Sequence, residues 1–171
     1  MRGLDLPILT AGALIDVSIG LSDSRRRVMQ RHRREVPPPV ELTLLIDTGA
    51  SMTMIDEAVM LSLQLTPTSA TEYHSSSTQG VAQPCNVYDV QLFLGGMGRP
   101  NTLRIDPLPV MATPFINQAF QGLLARDVLN RFQMVWRGTS AGTRTLPIEK
   151  SEHLQQVCCY WLKPIITRHL P

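Results

Sequence analysis

The chain has 171 residues, 43% of them hydrophobic, and a net charge of +2. That is enough for one domain with a proper core, too little for two large lobes, and too apolar for a disordered chain. The charge is uneven: residues 25–34, RRRVMQRHRR, hold six arginines and no acid, and removing those six charges from the net +2 leaves −4 on the rest.

The opening stretch reads as strands, and ALIDVSIG (13–20) partly alternates, with Ile15, Val17 and Ile19 on one side and Leu14, Asp16 and Ser18 on the other. The arginine segment and VPPPVE follow, and the three prolines predict an exposed loop with a stiff end over 22–39. ELTLLIDTGA resumes a strand that ends at Gly49, and MTMIDEAVMLSL reads as a short strand turning into helix near 56–63. Residues 66–86 are polar, with a single glycine, Gly80. NVYDVQLFLGG is the clearest strand, TLRIDPLPVMA is extended, and GLLARDVLNRF pairs an apolar run with a helical turn. FQMVWRGTSAGTRTLPI predicts a hairpin with a Gly-containing turn. Between Pro147 and Pro164 the apolar residues Leu154, Val157, Cys158, Trp161 and Leu162 fall at helical spacing. The pattern predicts a mostly β domain over 1–147, carrying the basic, Pro-rich loop 22–39, and a C-terminal helical extension over 148–171.

The three cysteines, Cys85, Cys158 and Cys159, form no CxxC pair and no even framework, which points to reduced thiols. No apolar run reaches the roughly 18–20 residues of a membrane span. Asp5, Pro7 and Asp16 interrupt the N-terminal stretch, which makes a poor signal peptide. The expectation is a soluble, cytoplasmic protein that does not engage a membrane.

The stretch with the most chemistry is LLIDTGASMTMI, 44–55. A carboxylate at the end of an apolar run is costly unless it is hydrogen bonded or functional. Thr48 adds a hydroxyl, and Gly49 permits a close backbone approach or a positive φ. Together they predict a tight loop whose N–H groups face Asp47. Asp and Gly are also common turn residues and three letters recur by chance, so the triplet by itself reads first as a strand ending in a turn.

With its apolar flanks, with a polar Gly-bearing segment downstream and with GLLARDVLNRF beyond that, the sequence resembles the retropepsin-like aspartic proteases. These are single-domain retroviral proteases and their cellular and bacterial relatives, and the resemblance covers roughly 13–147. It implies a closed β-barrel-like retropepsin (acid protease) fold with one short helix. It implies that Asp47 is the catalytic aspartate, that the Thr48 hydroxyl ties two active-site loops together, and that Gly49 lets substrate backbone pass. Ala50 and Ser51 would touch substrate, and Thr78, Gln79, Gly80 and Val81 would form a mobile flap over it. Arg126 and Asp127 would be a structural pair in the helix behind the site. Ala125 stands where the family usually has glycine. Ser51 stands where retroviral members carry an acid, which would leave Arg126 without its usual ion-pair partner; serine is familiar there among cellular and bacterial members.

Aspartic proteolysis needs two carboxylates sharing a proton. The chain has one D-T-G and no second D-T-G or D-S-G, so the resemblance implies a two-fold homodimer with one aspartate from each copy. It implies a polypeptide substrate with apolar residues beside the scissile bond, and no cofactor or metal. The alternative is a dimeric peptide- or protein-binding module on the same fold with little turnover. A zinc set of His153, Cys158, Cys159 and His169 matches no usual finger spacing. The arginine segment carries no interleaved aromatics, so no nucleic-acid partner is expected. His32 and His74 read as solvated loop residues.

Overall fold

The structure, a computed structural model, describes residues 3–9, 12–74, 81–99, 102–135 and 145–150, the last segment by its backbone alone. The strands are β1 (Gly3–Leu9), β2 (Gly12–Leu21), β3 (Val40–Ile46), β4 (Met54–Asp56), β5 (Ser69–Tyr73), β6 (Gln83–Leu94), β7 (Leu103–Thr113), β8 (Gly122–Leu124), β9 (Phe132–Met134) and β10 (Thr145–Lys150). The helices are α1 (Asp23–Arg31), α2 (Glu57–Ser62) and α3 (Arg126–Leu129). The mostly β expectation holds.

The strand order is β5-β6-β7-β4-β8-β3-β2-β1-β10-β9, and β6 also pairs with β2. That extra pairing closes a ring through β2, β3, β8, β4, β7 and β6, a barrel without free edges. β5 hangs from β6 outside the ring, while β1, β10 and β9 extend from β2. The alternation read in ALIDVSIG fills this barrel: Ala13, Ile15, Val17, Ile19 and Leu21 are buried, together with Leu44, Leu92, Leu94, Val110 and Leu124 from the facing strands. β9 and β10 pair antiparallel, Met134 opposite Ile148, as the hairpin reading expects. β10 runs to Lys150 and pairs with β1. The expected amphipathic helix, with Leu154, Val157, Cys158, Trp161 and Leu162, and the candidate zinc residues lie outside the described residues.

The loop expected over 22–39 is corrected: nine of its residues form α1. The Ser22 hydroxyl accepts from Arg25 N–H as the N-cap, and Asp23 stands in the first turn. Arginine, methionine and glutamine are good helix formers. The prolines begin only at Pro37, after Arg33 has left the helix at a φ of 52°. β5 also forms in the polar stretch 66–86, where no apolar alternation marks it, because its residues are mostly exposed. Among the described residues no helix is long and apolar enough to cross a membrane.

Candidate active site

β3 ends at Ile46, and the next residue, Asp47, donates its backbone N–H to the Leu124 carbonyl at the end of β8 (3.0 Å). The two strands run parallel, Leu45 beside Leu123 and Ile46 beside Leu124, so the chemistry emerges where both leave the barrel. The Asp47 carboxylate turns back on its own loop. Its Oδ1 accepts from Gly49 N–H (2.8 Å) and Ala50 N–H (3.3 Å); Oδ2 accepts nothing among the described residues. Gly49 is not in a left-handed φ; a Cβ there would sit 3.1 Å from Asp47 Oδ1 and would press the carboxylate to shift.

A second set of bonds ties this loop to the turn at 124–127. The Ala50 carbonyl accepts from both Arg126 N–H and Arg126 Nε, each at 3.2 Å. Thr53 and Asp127 form a two-point clasp: Thr53 N–H donates to Oδ2 (2.9 Å) and Thr53 Oγ1 donates to Oδ1 (2.7 Å). Thr53 Oγ1 also accepts from Ala125 N–H at 3.2 Å, and Thr53 is fully buried. Arg126 makes no ion pair among the described residues and uses the Ala50 carbonyl instead. Ala125, where glycine was the expectation, is buried in extended backbone at φ −104° and ψ −177°, which any residue adopts. The tight glycine is Gly122 on β8, where a Cβ would meet the Met54 carbonyl oxygen at 2.3 Å.

In front of Asp47 lies a groove of about 810 Å³. Asp47, Gly49, Ala50 and Ser51 line one wall, and Met52, Met54, Met111 and Leu123 supply apolar surface. Thr71, Glu72, Tyr73 and His74, from β5 and the residue after it, close the other side. Parallel pairing of β4 with β7, Met54 beside Met111, brings those two methionines together. Thr48 is exposed and outside the groove lining. β5 and β6 pair as hairpin arms, Tyr73 opposite Gln83. Thr78, Gln79 and Gly80 lie outside the described residues, and Val81 is exposed away from the groove lining. Glu72, Tyr73, His74, Thr53 and the methionines were not singled out from sequence. His74, expected as a solvated loop residue, is exposed but borders the groove.

Cys85 packs behind the groove with Val87 and Met111. Burial pushes its thiol above the ordinary 9.0, against the opposing effect of its bond to the Ala112 carbonyl. A thiol held protonated is a packing group, not a nucleophile. Asp56 caps α2 through Ala58 N–H (2.9 Å) and accepts from Phe115 N–H (2.9 Å). Among the described residues no group of His, Cys, Asp and Glu could hold a metal ion.

The aspartyl protease family matches this sequence over residues 39–128, from the start of β3 into α3. The crystal structure of a retropepsin-like aspartic protease from Rickettsia conorii is similar in fold, with a TM-score of 0.52 at 12% identity over 86% of this chain and 90% of that one. No curated protein matches. With the family match spanning more than half of its length, this chain belongs to the aspartyl protease family, and its closed barrel is a retropepsin-like fold.

Proposed function

We propose that the protein is an aspartic endopeptidase whose site is completed by a second copy of the chain. The observation that carries this reading is Asp47, held by two backbone N–H groups and lining a groove of about 810 Å³. Those donors orient Oδ1 and leave Oδ2 for chemistry. One carboxylate cannot both deprotonate water and donate to the scissile carbonyl. Two carboxylates about 3 Å apart cannot both ionise, so the pair shares one proton and titrates as a unit.

The charged member takes a proton from a water lying between the two, while the neutral member hydrogen bonds the peptide carbonyl. The water attacks, a tetrahedral diol forms, and no covalent bond to the enzyme is made. The second aspartate is Asp47 of the second copy, related by a two-fold axis. In this reading the hydroxyl of Thr48, an exposed residue next to Asp47 in the chain, ties the loops of the two copies together. Ala50 and Ser51 contact substrate. Thr78, Gln79, Gly80 and Val81, which lie between β5 and β6 in the chain, serve as the flap over substrate. Arg126 and Asp127 hold the loop from behind through Ala50 and Thr53. Met52, Met54 and Met111, flexible and polarisable, favour apolar side chains next to the scissile bond.

The test is cleavage of a mixed peptide library from about pH 3 to about pH 8 with a statine-type transition-state mimic. Cleavage is expected, blocked by the mimic, and Asp47→Asn should lower kcat by at least about 10³-fold with circular dichroism and dimer mass unchanged. Activity surviving in Asp47→Asn would overturn the mechanism.

A further inference from the structure

Helix α1 is built differently from an ordinary surface helix. Such a helix packs an apolar stripe on the core, whereas none of the nine residues of α1 is buried. Half-buried Met29 alone packs against the core, and polar bonds supply the other attachments. Asp23 N–H donates to the Asp106 carboxylate (3.2 Å), and Arg26 donates to Asp23 (2.5 Å) and to Gln91 (3.0 Å). These fasten its first turn and leave the remaining guanidinium groups uncommitted. Arg25, Arg27, Arg31, Arg33 and Arg34 form no ion pair among the described residues.

Two of those arginines border a groove. Between α1, the turn after it and the end of α2 lies a cleft of about 930 Å³, with Arg25 and Arg34 on its walls. Val28, Met29, Pro37 and Pro38 give it apolar surface, and Glu35 is its one acid. It shares no lining residue with the Asp47 groove. The register of β2 against β3 sets the distance. Leu14 lies beside Leu45 and Ile19 beside Val40, so β2 delivers α1 to the start of β3 while Asp47 follows its end. Seven residues of strand place the two about 20 Å apart.

We propose that this cleft is a docking site for an acidic segment of a polypeptide, separate from the site of cleavage. Charge complementarity selects the partner: unpaired guanidinium forks match carboxylates, and the rest of the chain, at −4, offers no such attraction. The shape selects among anions. A concave cleft with apolar walls takes a chain whose acidic residues alternate with apolar ones. A lipid surface would need an apolar helix face to insert, and on α1 the only large exposed hydrophobic is Val28. Single-stranded nucleic acid would need a run of aromatic platforms, and no Phe, Tyr or Trp lines the cleft.

The test is fluorescence anisotropy on the full chain with a labelled peptide of about ten residues, glutamate-rich with interspersed leucine and valine. A copy with glutamine for every glutamate is the control. Binding in the micromolar range is expected, at least about tenfold tighter than the glutamine copy and weakened by salt. Arg25→Gln with Arg34→Gln should weaken it about tenfold, and Val28→Glu, which adds a like charge to the wall, should do so independently. Cleavage of short uncharged peptides should not change in either variant, which separates this site from the protease reading. No binding at about 1 mM peptide, equal binding of the glutamine copy, or unchanged binding in the variants would overturn the proposal. So would tighter binding of duplex DNA or of phosphatidylserine vesicles.

Discussion

Thr53 ties the Asp47 loop to the turn behind it. Its hydroxyl donates to Asp127 and accepts from Ala125 N–H, and its own N–H reaches the other Asp127 oxygen. In Thr53→Val the shape survives but buried Ala125 N–H and the half-buried Asp127 carboxylate each lose a bond. The expected cost is about 1–3 kcal/mol in urea unfolding, with Thr53→Ser losing much less. A stability equal to wild type in the valine variant would mean that the clasp contributes nothing. The sequence pointed to Asp47, Thr48 and Gly49 because their chemistry is local: a carboxylate, a hydroxyl and a glycine within one turn. Thr53 carried no such mark, since its partner lies 74 residues away and a threonine after a strand break is ordinary.

At the scale of elements, the first turn of α1 rests on an ionic knot. Arg104 donates to both Asp23 and Asp106. The hydrogen bond from Arg104, aided by the charges of Arg104 and Arg26 and opposed by desolvation, holds the Asp23 carboxyl below its ordinary 3.8. A depressed folded-state pKa adds stability that is present above 3.8 and is lost as pH falls below it through the folded value. Wild type should therefore melt higher than Arg104→Met near about pH 6, and the gap should close near about pH 2. A gap independent of pH would show that Arg104 acts by packing alone. The existence of α1 was hidden for a physical reason. The eye sees an arginine run and three prolines, both marks of exposed loop. What makes the helix is a serine cap, good helix formers and bonds to residues on β6 and β7 that no local pattern announces. β5 was hidden for the converse reason, being an exposed strand without alternation.

At the scale of the whole molecule, one chain brings one D-T-G loop to the end of one barrel. If the site needs two, specific activity must fall on dilution as dimers dissociate. Specific activity and sedimentation coefficient, followed together over a dilution series, should drop in step; constant activity in a sedimenting monomer would sink the shared site. What the sequence by itself determined was the class of chain and the family it belongs to. Alternating apolar residues specify strands, and LLIDTGAS and GLLARDVL carry their meaning within a few neighbouring residues. What only the tertiary structure decided was everything that depends on closure. β6 pairing with β2 makes the barrel, parallel pairing of β4 with β7 gathers the methionines in front of Asp47, and antiparallel pairing of β2 with β3 sends the arginine helix to the far end. Those relations join residues far apart in the chain, and their free energy comes from burying both faces of a contact at once, which neither segment expresses alone.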